Sequence, residues 1–262
     1  MTDQNPAPQN APAAAPAAAK PGGLGARAGY LALGLSVVAL GLAAAPYFTG
    51  AGDVRGYLLK HPEVLQEASA ALQQKEAQAR VDEINQAAAA NAGLLAPDSR
   101  DPSFGPADAK VTVIEFFDFR CPGCKAVAHD YRALMAAHPE VRFVFKDWPI
   151  LDRGEDVTSQ YAARAALAAH QQGKYLEVYD ALMNARALSI ASIDQILAQH
   201  GVDMTRAKAA IAAPDTTRHI ADIHTTAAAL RLQGTPSFFV NGKASAGIDP
   251  AEIGRMIEAA KR

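Results

Sequence analysis

Residues 111–124 read VTVIEFFDFRCPGC. The first nine, Val111 to Phe119, are rich in β-branched and aromatic side chains and predict a buried strand. Cys121 follows almost at once. From Cys124 to His138 the apolar positions (Ala126, Val127, Tyr131, Leu134, Met135) fall at helical spacing. The only two cysteines of the chain, Cys121 and Cys124, therefore close a strand and open a helix.

That placement has a chemical use. The first turn of a helix offers unpaired amides and a positive dipole end, both of which favour an anion. Cys121 is thus expected to carry the exposed, low-pKa thiol, and a thiolate is the nucleophile in disulfide exchange. Cys124, one turn on, is placed to attack a mixed disulfide at Cys121 and release the partner. Pro122 suits the first turn because its missing N–H costs nothing there; Gly123 completes the motif. The competing readings are half of an intermolecular metal or iron–sulfur site and a passive structural disulfide. The strand before and helix after favour redox chemistry over both.

Outward from this unit, Val141 to Trp148 (VRFVFKDW) is a second strand, stopped by Pro149. Asp156 to about Ala213 is alanine-rich and helical, broken at Gly173 and Gly201. Another helix spans Thr216 to Leu232. Ser237 to Val240 followed by Asn241-Gly242 reads as a strand and hairpin turn. Asp249-Pro250 opens a last helix as N-cap and first residue. The order is β-α-β, a helical block, then α-β-β-α. A parallel crossover followed by a hairpin makes the expected sheet mixed.

A second motif, Gly234-Thr235-Pro236-Ser237-Phe238-Phe239, leads into that late strand. With the strand-Cys-X-X-Cys-helix unit and the helical insertion, it resembles a DsbA-family thiol–disulfide oxidoreductase of the thioredoxin fold. The resemblance covers about 109–262. It implies that Thr235-Pro236 is a cis bond lying against Cys121 and presenting backbone groups to a substrate chain, and that Glu115 is a buried glutamate beneath the site able to relay protons. Tyr57 to Leu65 resembles the N-terminal oligomerisation region of ScsC-like, membrane-anchored members. Gly123 departs from the Cys-Pro-His-Cys of many oxidising members; without that imidazole a less oxidising disulfide is expected.

Glu115 lies in an otherwise apolar strand, where a carboxylate must be paired or protonated. Lys146, on the next strand, is the candidate partner; the alternative is a strand-end glutamate reaching solvent. Asp118 and Arg120 are expected to be solvated and Trp148 to pack in the core. His129, His138, His170, His200, His219 and His224 show no ligand spacing.

The N-terminal 108 residues divide differently. Residues 1–28 form an Ala/Pro-rich tail, with nine Ala and five Pro in the first 26, and are expected to be disordered. Ala28 to Gly52 contains no charged side chain in 25 residues. Its core, Tyr30 to Phe48, would span roughly 28 Å as a helix, close to a bilayer core of about 30 Å. Residues 29–49 are therefore expected to be a transmembrane anchor. Lys20 and Arg27 ahead of it favour a cytoplasmic N-terminus. A cleaved signal peptide competes, but Pro46 would follow the Ala43-Ala44-Ala45 cut; a buried core helix is the third reading.

Residues 53–92 are expected to be a helical oligomerisation or spacer segment, with Leu58, Leu65 and Leu72 repeating every seven residues. Residues 93–108 (three Pro within Ala96 to Asp108) read as a linker. Residues 109–262 are then a DsbA-like thioredoxin-fold domain with a helical insertion at about 153–215.

With 25 basic and 27 acidic residues, net −2, no basic field argues for nucleic acid. The sequence thus points to a membrane-tethered protein with its redox domain in the periplasm or extracytoplasmic space, forming or isomerising disulfides in exported proteins. Its expected partners are thiol- or disulfide-bearing clients, a membrane redox protein and further copies of itself. No metal or organic cofactor is required. The alternative is a tethered chaperone-like or thiol metal-binding module without redox turnover.

Overall fold

The computed structural model describes residues 36–40 and 54–262. Most of the 29–49 anchor expectation lies outside them; residues 36–40 are helical and exposed. No helix among the described residues is long and apolar enough to cross a membrane.

Two compact units divide at Ala70/Ala71. In the first, α1 (Val54–Lys60) ends just before Pro62, and α2 (Glu63–Ala90) starts after it. A proline lacks the N–H that would continue a preceding helix, yet is tolerated at a first turn. Leu65 of this unit is 55% exposed.

The second unit begins within α2. It continues with β1 (Ser103–Phe104), β2 (Thr112–Phe117), α3 (Pro122–Ala137) and β3 (Arg142–Asp147). The inserted block holds α4 (Thr158–His170), α5 (Tyr175–Asn184), α6 (Ile190–Gln199) and α7 (Met204–Ala212). Then follow α8 (Pro214–Ala229), β4 (Ser237–Val240), β5 (Lys243–Ala244) and α9 (Pro250–Ala260). The mixed sheet has the order β1-β3-β2-β4-β5, parallel only between β2 and β3. Asn241 and Gly242 both take positive φ, 46° and 80°, as a tight hairpin turn requires.

Strand alternation gives the sheet two buried faces. On one, Val113, Phe117, Phe145 and Phe238 pack under α3, the inserted helices and α9. On the other, Ile114, Phe116, Val144 and Phe239 pack with Ile223 and Ala227 of α8 and with Ile84 and Ala88 of α2. Asn85 of α2 also accepts from the Ala244 amide at 2.8 Å.

Two boundaries therefore differ from those read in the sequence. The second half of α2 belongs to the redox domain's core rather than to a free spacer, because the β2–β3–β4 face needs a cover that α8 alone does not supply. The 93–108 stretch is more than a linker: β1 pairs antiparallel with β3, and Asp101 is buried.

Candidate active site

Cys121 is the N-cap of α3, in an extended conformation, with Pro122 at the first helical position. Both cysteines are free thiols. Cys121 retains 8% exposure and Cys124 none, so Cys121 is the accessible one of the pair, although more enclosed than expected for an exposed nucleophile. The Thr235 loop faces it, and the strand before it and the loop facing it are both core elements.

Thr235-Pro236 is a cis peptide bond. The Thr235 carbonyl lies 3.1 Å from Cys121 Sγ and accepts from its protonated thiol. Gly123 sits where a Cβ would come 3.3 Å from Pro236 Cδ, 3.7 Å from Cys121 Sγ and 3.7 Å from Ile248 Cδ1. The absence of a side chain there lets the loop close over the motif.

The two thiols are driven apart electrostatically. Cys121 is lowered to about 5, first by a hydrogen bond from the Cys124 thiol, which outweighs the opposing effect of burial. The Thr235 side chain and the amides of Cys124 and Gly123 add to it. Cys124 is pushed far up, first by burial, then by donating that hydrogen bond, then by Glu115.

Glu115 is fully buried, not solvent-reaching. Its carboxyl is raised well above the usual range by burial, then by Asp147. The Tyr179 hydroxyl donates to its Oε2 at 3.5 Å, while Glu115 Oε1 and the Tyr131 hydroxyl have no hydrogen-bond partner among the described residues. Lys146 is not its partner. The register sets Glu115 beside Phe145, and Lys146 beside Phe116, so the two side chains point to opposite faces. Lys146 instead bonds Asp101, whose other oxygen lies 3.1 Å from His219 Nε2.

Asp118 is also buried rather than solvated. It accepts from the amides of Arg120, Ile150 and Leu151 and from Ser159 Oγ at 2.7–3.1 Å. It thereby ties the approach to Cys121 to the segment after β3. Arg120 pairs with Asp152 and Asp156. Trp148 packs in the core as expected and donates from Nε1 to His224 Nδ1 at 3.1 Å.

Lys125 was not singled out by sequence. Its Nζ donates to the carbonyls of Leu182, Met183 and Ala185 at 2.8–3.1 Å, capping the C-terminal end of α5 next to the motif. Its position directly after Cys124, on a helix facing an inserted block, is the available signal. Among the described residues no group of three or more His, Cys, Asp and Glu is arranged to hold a metal ion.

The thioredoxin family model matches residues 98–259, and the N-terminal domain of copper resistance protein ScsC matches residues 54–79. The chain belongs to the thioredoxin family.

Among solved structures it is similar to a thioredoxin-like oxidoreductase from Silicibacter pomeroyi, with 36% identity, TM-score 0.58, and coverage of 63% of this chain and 94% of that one. BcfH of Salmonella enterica Typhimurium matches over 87% of this chain and all of its own, at 26% identity and TM-score 0.60. ScsC of Proteus mirabilis, in a transitional conformation, matches over 83% and 97% at 25% identity and TM-score 0.59. The curated relatives include a Na(+)/H(+) antiporter NhaA 3 of Salinispora tropica, 34% identical over 145 residues, or 55% of this chain. The chain spans only 22% of that protein's length.

Proposed function

We propose that Cys121 and Cys124 are the reacting pair of a membrane-tethered oxidoreductase that forms or isomerises disulfides in exported proteins. The observation that carries this is the asymmetry of the two thiols: Cys121 is accessible and low in pKa, and Cys124 is buried and protonated. In reduction, the Cys121 thiolate attacks one sulfur of a client disulfide. That S–S bond breaks, a mixed disulfide forms, and the departing client sulfur takes a proton. Cys124 then loses its proton and displaces the second client sulfur. Two electrons pass to the client, and Cys121–Cys124 becomes the disulfide. Disulfide formation is the same sequence reversed, and a membrane redox protein restores the starting state.

Glu115, beneath the pair, is the group we assign to the Cys124 proton: its ionised carboxylate takes that proton as Cys124 attacks, and its raised pKa makes the protonated acid the favoured product. Thr235-Pro236 presents backbone to the client, and Pro122 and Gly123 shape the turn. The uncharged run at 29–49 supports tethering, with the redox domain on the periplasmic or extracytoplasmic side. The ScsC-type match at 54–79 and the exposed Leu65 and Leu72 (55% and 57%) support self-association through 53–92. Insulin reduction and scrambled-ribonuclease reactivation test the chemistry. Cys121→Ala abolishes both if the reading holds, and unchanged activity overturns it. In the full chain in mild detergent, Leu58→Asp with Leu65→Asp converts an oligomer to a monomer by sedimentation.

A further inference from the structure

Between the Thr235-Pro236 loop and the segment after β5 lies a groove of about 350 Å³. It is lined by residues of β4, among them Phe238 and Phe239, and by Pro236 and Ile248 beside the dithiol. These same two residues are the ones a Cβ on Gly123 would touch, together with Cys121 Sγ. The groove is therefore continuous with the reacting sulfur. The segment at its rim is held in place by Glu252, which accepts from Ser245 Oγ and the Ala246 amide, each at 3.1 Å.

The opposite wall comes from α2. Ala77, Arg80, Val81 and Ile84 line the groove at successive helical positions, the spacing that puts residues on one face of a helix. Ile84 anchors that face in the core, and Asn85 pins the helix to β5. Arg80 is the only charged residue in the lining. It is exposed and forms no ion pair among the described residues. The groove thus offers apolar surface, backbone, and one cation, supplied by the half of α2 that packs on the sheet.

We propose that Arg80 is a specificity-determining residue: an extended client segment joined to Cys121 runs into this groove, and Arg80 selects segments with an acidic side chain a few residues from the reacting cysteine. The inference rests on the oxidoreductase reading above. An exposed pair of this kind is worth up to about 1 kcal/mol, or about fivefold in rate at limiting client. Charge reversal acts twice, by loss of attraction and gain of repulsion, and salt weakens both.

The test uses the full reduced protein and disulfide-bonded peptides with an Asp or a Lys walked through the second to fifth positions on either side of the cysteine. At low salt, one Asp register reacts about three- to tenfold faster than its Lys counterpart. Arg80→Glu reverses the order, Arg80→Lys keeps it, and 0.5 M salt flattens it. All three proteins reduce the uncharged 2-hydroxyethyl disulfide at one rate. Normal reaction with that small disulfide but no charge preference, or a preference that Arg80→Glu leaves intact, overturns the role of Arg80 alone. Failure to reduce any disulfide overturns the oxidoreductase reading with it.

Discussion

The two faces of the central sheet bury carboxyls in opposite ways. Beneath the dithiol, Glu115 and Asp147 are held with tyrosine hydroxyls near them and form no ion pair among the described residues, and burial raises both well above the carboxylate range. On the other face Asp101 lies between Lys146 and His219 and pairs with Lys146. The two faces accordingly serve different ends. A protonated acid beside a thiol can exchange protons, whereas a paired ion holds β1, β3 and α8 in register. Breaking such a pair leaves a charge without compensation in a region that water does not reach.

The largest effect is therefore expected on the ion-paired face. Asp101→Asn strands the Lys146 ammonium and lowers stability by about 3–5 kcal/mol, read from urea unfolding. Asp101→Leu with Lys146→Met removes both charges and recovers most of the loss. An Asp101→Asn midpoint equal to wild type would show that Lys146 finds another partner.

The same face carries the next effect. Ile84→Ala opens a void under Phe239 and costs about 2–4 kcal/mol. Leu65→Ala, at an exposed position, changes protomer stability by less than about 0.5 kcal/mol. It follows that a chain cut at Pro97 loses Ile84 and Ala88 and is destabilised as well as shortened.

On the dithiol face Glu115→Gln replaces a neutral acid by a neutral amide, so it costs little at low pH. The raised carboxyl makes wild-type stability highest below the unfolded-state value near 4.5 and lower as pH rises toward the folded-state pKa, because ionisation in the core is resisted. The Gln variant lacks that decline and gains on wild type as pH increases. In stopped-flow reduction, it slows resolution by Cys124 more than attack by Cys121. Parallel pH–stability curves for the two proteins would mean that Glu115 is already ionised.

The smallest effect is a displacement of one titration. Cys121 at about 5 is held first by the Cys124 thiol, so Cys124→Ala moves the alkylation midpoint upward while keeping it below the ordinary cysteine value of about 8.5. The depressed value also makes the reduced protein more stable at neutral pH, a contribution lost as pH falls through about 5. An unmoved midpoint would assign the depression to the helix amides alone.

The amino-acid sequence alone specifies the strand-Cys-X-X-Cys-helix unit, the Asn241-Gly242 turn, the Asp249-Pro250 cap and the break at Pro62. Each is set by residues adjacent in the chain, whose backbone preferences act before any packing. It also brought Thr235-Pro236 to the dithiol by resemblance. Tertiary structure alone decided where the charges go. Lys146 and Glu115 lie on neighbouring strands, and only the register shows that they face opposite ways; a shift of one residue would have joined them. Asp118 looked solvated because three of its four donors come from 32 to 41 positions away. The same holds for α2: its large apolar residues are sparse, and Ile84 and Ala88 became core because an open sheet face lay beside them.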